Sequence, residues 1–101
     1  MPNFNAYLAP ADDGCRIKLS GEFDLTCRDL AAAVLSQTDG EPRVVLDLSE
    51  LDFIDSTGIH FVVAAHEQAR QRGCDFTIVR GGPAVERVFS LVGLDQALPF
   101  A

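Results

Sequence analysis

Positive charge is scarce in this 101-residue chain: eight Lys or Arg stand against fifteen Asp or Glu, a formal net charge of −7. A nonspecific grip on phosphate backbones would be repelled, so direct nucleic-acid binding is excluded and anionic membranes are disfavoured. The basic residues are scattered from Arg16 to Arg87 and form no docking stripe. Cysteine is also sparse. Cys15, Cys27 and Cys74 are odd in number and include no C-x-x-C pair, which argues against a disulfide framework or a zinc knuckle and fits a reducing cytoplasm. They read as small buried hydrophobes, with no metal or cofactor chemistry assigned.

No stretch approaches the ~20 apolar residues that span a bilayer. The start, Met1-Pro2-Asn3-Phe4-Asn5, lacks a charged segment followed by an apolar run, so a soluble, unexported protein is expected. No linker, repeat or low-complexity segment interrupts the chain. Apolar residues make up 48% of it, enough for one core, and residues 1–101 read as one domain. A chain this short leaves no room for both a large cleft and a scaffold to shape it. A binding or switching module therefore fits better than a self-sufficient enzyme.

Phe4, Ala6 and Leu8 alternate with other residues, Pro10-Ala11-Asp12-Asp13-Gly14 breaks the chain, and Cys15, Ile17 and Leu19 alternate again, which predicts a β-hairpin ended by Gly21. Thr26 with Asp29 three residues on resembles a capped start for a helix over 26–38. Arg43 to Leu48 is a β-branched, mostly apolar run expected to be a central strand buried on both faces. Ile59, Val62, Val63 and His66 recur at helical spacing until Gly73, predicting a second helix over 57–72. Phe61 and Ala65 lie off that stripe, and either pack on a neighbouring helix or form part of an exposed partner surface. A strand at 74–79 and a third helix at 83–92, opened by Pro83 and stopped by Gly93, complete the pattern. The tail from Leu94 is too short to classify.

The order β-β-α-β-α-β-α contains two β-α-β crossovers. The fold class is therefore α/β: a small mixed, mostly parallel β-sheet covered by helices. Three strands point one way, so the loops at about 20–25, 49–57 and 80–83 should emerge at one sheet edge and gather Glu22, Asp24, Asp52, Asp55 and Ser56. Ser56 sits where a loop meets a helix, and its oxygen could simply cap the first free N–H groups. Gly58 either serves a tight strand-to-helix turn or lets a partner approach closely.

Other chemistries fit poorly. His66-Glu67-Gln68-Ala69-Arg70 begins like a zinc-protease helix but has Arg70 where the second His is needed. Ser56 and His60 are four apart, yet no third group orients the histidine as a hydrolase requires. Gly81-Gly82 lacks the Lys-Ser/Thr of a P-loop. A phosphoaspartate receiver would place Asp12-Asp13 beside Asp55, but these belong to the hairpin turn at the other edge, and the only lysine, Lys18, lies within a strand.

From Leu19 to about Phe100 the chain resembles the STAS domains, and among them the bacterial anti-sigma-factor antagonists. The resemblance rests on Leu19-Ser20-Gly21-Glu22-Phe23-Asp24, on Val44-Val45-Leu46-Asp47-Leu48 followed by Phe53-Ile54-Asp55-Ser56-Thr57-Gly58-Ile59, and on Pro83-Ala84-Val85 with Val92-Gly93-Leu94. It implies a partner switch. The unphosphorylated antagonist binds an anti-sigma factor that is also a serine kinase, a histidine-kinase-like ATPase, and so frees the sigma factor; phosphorylation ends the contact and a serine phosphatase resets it. By the resemblance, Ser56 matches the phosphoacceptor. Asp24 and Asp55 match the acidic positions that help meet the kinase, with Thr57 and Gly58 shaping the contact. Thr57 offers a second hydroxyl, and His60 is bulkier than the small residue often found two places after the glycine. The alternative within the same resemblance is a STAS scaffold module that is not phosphorylated and serves a larger assembly or a lipid or ion transporter.

Overall fold

The computed structural model describes residues 3–101; Met1 and Pro2, the first two residues of the opening stretch, lie outside the described residues. Chain order is β1 (Phe4–Ala11), β2 (Gly14–Phe23), a 3-10 turn (Leu25–Cys27), α1 (Arg28–Ser36), β3 (Arg43–Ile54), α2 (Ser56–Arg72), β4 (Asp75–Val79) and α3 (Pro83–Leu91). The sheet order is β1-β2-β3-β4, with β1 antiparallel to β2 and the two later pairs parallel. This is the mixed, mostly parallel α/β sheet expected from the pattern. Asp12 and Asp13 close the hairpin between Ala11 and Gly14, and Asp13 takes the left-handed φ of 62° that a short polar side chain tolerates.

Burial follows the period of the strands. Cys15, Ile17 and Leu19 on β2, Val44, Leu46 and Leu48 on β3, and Phe76 and Ile78 on β4 are all buried on the helix-covered face. The alternate residues Arg16, Lys18, Val45 and Thr77 are only half-buried. The expected burial of β3 on both faces thus holds on one side only. Asp47 occupies the other side, covered by its 2.7 Å ion pair with Arg16.

β3 is longer than the sequence pattern predicted, and most of the expected loop 49–57 is strand. Leu48, Leu51 and Ile54 are spaced by three, which matches neither a strand nor a helix. Two register shifts against β2 resolve this. One lies opposite Lys18–Ser20; the other, opposite Gly21–Glu22, leaves Asp52 unpaired. Each inserts one residue and turns the next apolar side chain back to the core, so all three are buried. Gly21 does not end β2. It lies within it at φ 89°, where a β-carbon would run into the Asn3 carbonyl.

Two successive crossovers step across the sheet in the same direction, so right-handed connections place α1 and α2 on one face, in contact with each other. The expected Thr26 cap is not formed. Asp24 caps instead: its Oδ1 accepts from the Thr26 N–H at 2.9 Å and from the Thr26 hydroxyl at 2.6 Å, which starts a 3-10 turn and delays α1 to Arg28. On α2, Phe61 and Ala65 are buried, Phe61 packing on Phe23 at 5.4 Å between ring centres, whereas Val63 faces out. α3 buries Val85 and Phe89 in the same core. Fully buried side chains such as Phe23 and Phe89 each contribute roughly 2–3 kcal/mol. The tail is ordered: Phe100 bridges to Ile78 beside β4 and meets Phe89 edge-on at 5.2 Å. No helix among the described residues is long and apolar enough to cross a membrane.

Candidate functional site

β2 and β3 end together because they are parallel and paired through Phe23↔Ile54. The Asp55 N–H then donates to the Phe23 carbonyl at 3.1 Å. Each strand is followed directly by an aspartate that caps the next helical segment: Asp24 after β2 and Asp55 after β3. Two carboxylates therefore stand at neighbouring strand ends, with Glu22 exposed on the end of β2 and Asp52 exposed at the bulge of β3. The expected gathering of Glu22, Asp24, Asp52, Asp55 and Ser56 at one edge is what this register produces. Asp12 and Asp13 lie at the opposite end, at the hairpin turn.

The cap of α2 belongs to Asp55, not to Ser56. Asp55 Oδ1 accepts from the Thr57 N–H at 2.8 Å and the Gly58 N–H at 3.3 Å. This takes up the donors that a serine cap would have served. Ser56 is instead the first helical residue, exposed, and among the described residues its hydroxyl has no hydrogen-bond partner. A free hydroxyl on a rigid helix end, flanked by carboxylates, is accessible to a group-transfer enzyme. Thr57, the second hydroxyl, is half-buried and turned toward α1.

Gly58 is buried, and a β-carbon there would stand 2.9 Å from Ile54 Cδ1 and 3.1 Å from the Phe23 ring. Its missing side chain lets the first turn of α2 rest on the ends of β2 and β3, which fixes the height at which Ser56 is presented. Asp24 has its carboxyl held below the ordinary value, first by the Thr26 hydroxyl and then by the Thr26 N–H. It stays ionised, and with the chain's net charge the edge is strongly negative.

A groove of about 330 Å³ opens between α1 and α2 beside this edge. Thr57, Phe61, Ala64 and Gln68 line it at the i, i+4, i+7, i+11 spacing of one helix stripe, and Arg28 and His60 flank it. Arg28 carried no signal in the sequence beyond being one more scattered cation. Its position beside Thr57 arises from the packing of two helices whose first turns start at the same sheet edge.

The motifs set aside on sequence have structural partners. His66 stacks on Phe76 at 5.9 Å, Glu67 binds Arg70 at 2.6 Å, and Lys18 reaches Glu50 at 3.5 Å. Among the described residues no group of three or more His, Cys, Asp or Glu could hold a metal.

Comparison with known proteins agrees with this fold. The protein named "Putative anti-sigma factor antagonist BtrV" of Bordetella bronchiseptica is 38% identical over 73 residues, covering 71% of this chain and 63% of that protein. The anti-sigma-F factor antagonist RsfB of Mycobacterium tuberculosis is 31% identical over 86 residues, covering 79% of this chain and 66% of its own length. The chain thus spans about two thirds or less of these curated relatives. A crystal structure of an anti-sigma factor antagonist from Mycobacterium paratuberculosis superimposes with a TM-score of 0.82 at 28% identity, covering 99% of this chain and 87% of that one. The family described as "Mlab, STAS domain" matches residues 8–99. With its four-stranded mixed sheet, its capped helix at Asp55 and that match over nearly its whole length, the chain belongs to the STAS domain family.

Proposed function

We propose that this protein is an anti-sigma factor antagonist that works as a partner switch, is not itself an enzyme, and acts in the cytoplasm. With Ser56 unmodified, it binds an anti-sigma factor that is also a serine kinase of the histidine-kinase-like ATPase type. The kinase transfers the γ-phosphoryl group of ATP to Ser56 Oγ, the hydroxyl proton passes to a base of the kinase, and ADP leaves. A serine phosphatase later hydrolyses the ester with water and releases inorganic phosphate. Asp24, Asp55, Thr57 and Gly58 form and support the contact surface. Asp24 and Asp55 offer carboxylates, and the buried Gly58 holds the helix end in place.

One observation supports this reading: the Ser56 hydroxyl is exposed and, among the described residues, has no hydrogen-bond partner, because Asp55 does the capping. A phosphoryl group there adds about −1.5 to −2 charges at pH 7. The amino end of α2 tolerates that charge through its dipole, so the fold survives modification. The partner does not tolerate it as well, since a dianion among carboxylates must be desolvated on docking, and about 1.4 kcal/mol already costs tenfold in affinity.

The test is capture of partners from cells with the wild-type chain, Ser56→Ala and Ser56→Glu, with mass analysis of residue 56. The expected result is a kinase retained by the wild type and by Ser56→Ala, lost by Ser56→Glu, and phosphate found on Ser56 alone. Equal binding by all three forms, or a Ser56 never phosphorylated, would sink the switch. Co-purification with a transporter complex, unaffected by Ser56→Ala, would favour the unphosphorylated scaffold role instead.

A further inference from the structure

Arg28 and Arg87 stand apart from the other cations, and of the two only Arg28 lines the groove. Arg16, Lys18, Arg43, Arg70, Arg72 and Arg80 each have a carboxylate within 4.0 Å, whereas among the described residues Arg28 and Arg87 have none. In a chain of net charge −7, an arginine left without a carboxylate partner is available for another anion. Arg28 is the first residue of α1, Ser56 is the first residue of α2, and the two helices lie side by side. Arg28, Thr57 and His60 border the same groove. Ser56 and His60 are four residues apart, so the hydroxyl stands one turn above the imidazole on the same side of α2. Arg28 and His60 thus line the groove together with Thr57, the residue that follows Ser56 in the chain.

We propose that Arg28 is a latch for the phosphoryl group carried by Ser56. On phosphorylation its guanidinium spans the mouth of the α1–α2 groove and pairs with the phosphate oxygens, with His60 as a second donor from the turn below. This inference rests on the phosphorylation of Ser56 proposed above. Guanidinium matches phosphate in a bidentate geometry that lysine cannot reproduce. The carboxylates of Asp24, Asp52, Asp55 and Glu22 at the same edge oppose the new dianion, and Arg28 and His60 are the basic residues among those lining the adjoining groove. The latch has two consequences. It narrows the groove, and it removes from the surface a cation that an acidic partner group could otherwise use.

The experiment uses the full chain with phosphoserine installed at position 56 during synthesis, so that no kinase is needed. Unfolding equilibria are measured with and without the phosphate in the parent, Arg28→Ala, Arg28→Lys and Arg87→Ala chains, and the phosphorus resonance is titrated in each phosphorylated form. The expected coupling between the phosphate and Arg28 is about tenfold in the unfolding constant, abolished in Arg28→Ala, reduced in Arg28→Lys and unchanged in Arg87→Ala. The second phosphate ionisation is expected at lower pH in the parent than in Arg28→Ala. The latch is overturned if the phosphate changes stability equally with and without Arg28, or if the two titrations coincide. Because the phosphate is placed synthetically, failure of the latch leaves the switch standing. Absence of Ser56 phosphate in cells would sink the switch without altering these measurements.

Discussion

The backbone N–H of Asp55 donates to the carbonyl of Phe23 at 3.1 Å, and this bond fastens the start of α2 to the end of β2. Asp24 and Asp55 follow those two strand ends and cap separate helical segments side by side. The candidate site is thus a by-product of parallel strand pairing. One register sets two carboxylates, one free hydroxyl and one groove mouth at a common edge.

The division of labour between Asp55 and Ser56 has a direct test. Asp55→Ala removes an N-cap whose oxygen serves two N–H groups, and should cost about 1–2 kcal/mol. For a domain of this size that lowers Tm by roughly 5–15 °C. Ser56→Ala removes a hydroxyl with no partner among the described residues and should change stability by less than about 0.5 kcal/mol. Thermal melts followed by far-ultraviolet circular dichroism separate the two; equal losses would mean that Ser56 shares the cap.

Gly58→Ala should be costly although alanine is the better helix former. Its β-carbon would collide with Ile54 and crowd the Phe23 ring, and overpacking of this kind costs about 1–3 kcal/mol. Urea denaturation should show a lower midpoint with an unchanged slope. An unaltered or higher midpoint would contradict the close seating of α2 on the strand ends.

Asp47 links stability to pH. Burial pushes its carboxyl up, but hydrogen bonds from Ser49 and the Arg16 guanidinium outweigh burial, and the net direction is below the ordinary value. A depressed folded-state value means that the unfolded chain binds the proton more readily. The contribution is therefore present above about pH 4, where the unfolded carboxyl is already ionised, and is lost as pH falls further through the folded value. Asp47→Asn should destabilise the protein at pH 7 by about 1–3 kcal/mol. It should also flatten the acid limb of a plot of urea midpoint against pH, and parallel acid limbs for the two chains would contradict the assignment.

Phe100→Ala tests the tail. Phe100 packs on Phe89, has the Arg80 guanidinium 4.5 Å from its ring centre, and lies in a segment whose backbone pairs with both the N–H and the carbonyl of Ile78. A loss of about 2–3 kcal/mol is expected, less than for a fully buried phenylalanine because the ring is half-exposed. Amide hydrogen exchange should show faster exchange at Ile78 in the variant, and unchanged protection there would mean that the tail closes the β4 edge without its aromatic anchor.

Much of the fold was legible because its local signals agree with the tertiary arrangement. Period-two alternation from Cys15 to Leu19 marks β2, Gly73 in the left-handed conformation closes α2, and Pro83 opens α3. The errors fall where two chains of contacts compete. Leu48, Leu51 and Ile54 hid a strand because its bulges exist only against β2. Thr26 looked like a cap because threonine is a common residue there, but its hydroxyl and its own N–H both donate to the Asp24 carboxylate, so Asp24 caps a 3-10 turn one step earlier.

The amino-acid order alone determined the number and order of the elements, the crossover topology and the acidic edge, since these follow from hydrophobic period, turn residues and the handedness of β-α-β units. Tertiary structure decided which residue caps and which is left free. It also placed Gly58 against Ile54 and Phe23 and brought Arg28 to the mouth of a groove shared with Thr57 and His60. The seating of Gly58 on Phe23 and the meeting of Arg28 with Thr57 and His60 depend on the register between strands and on how closely two helices lie on them, because each joins residues more than twenty positions apart in the chain.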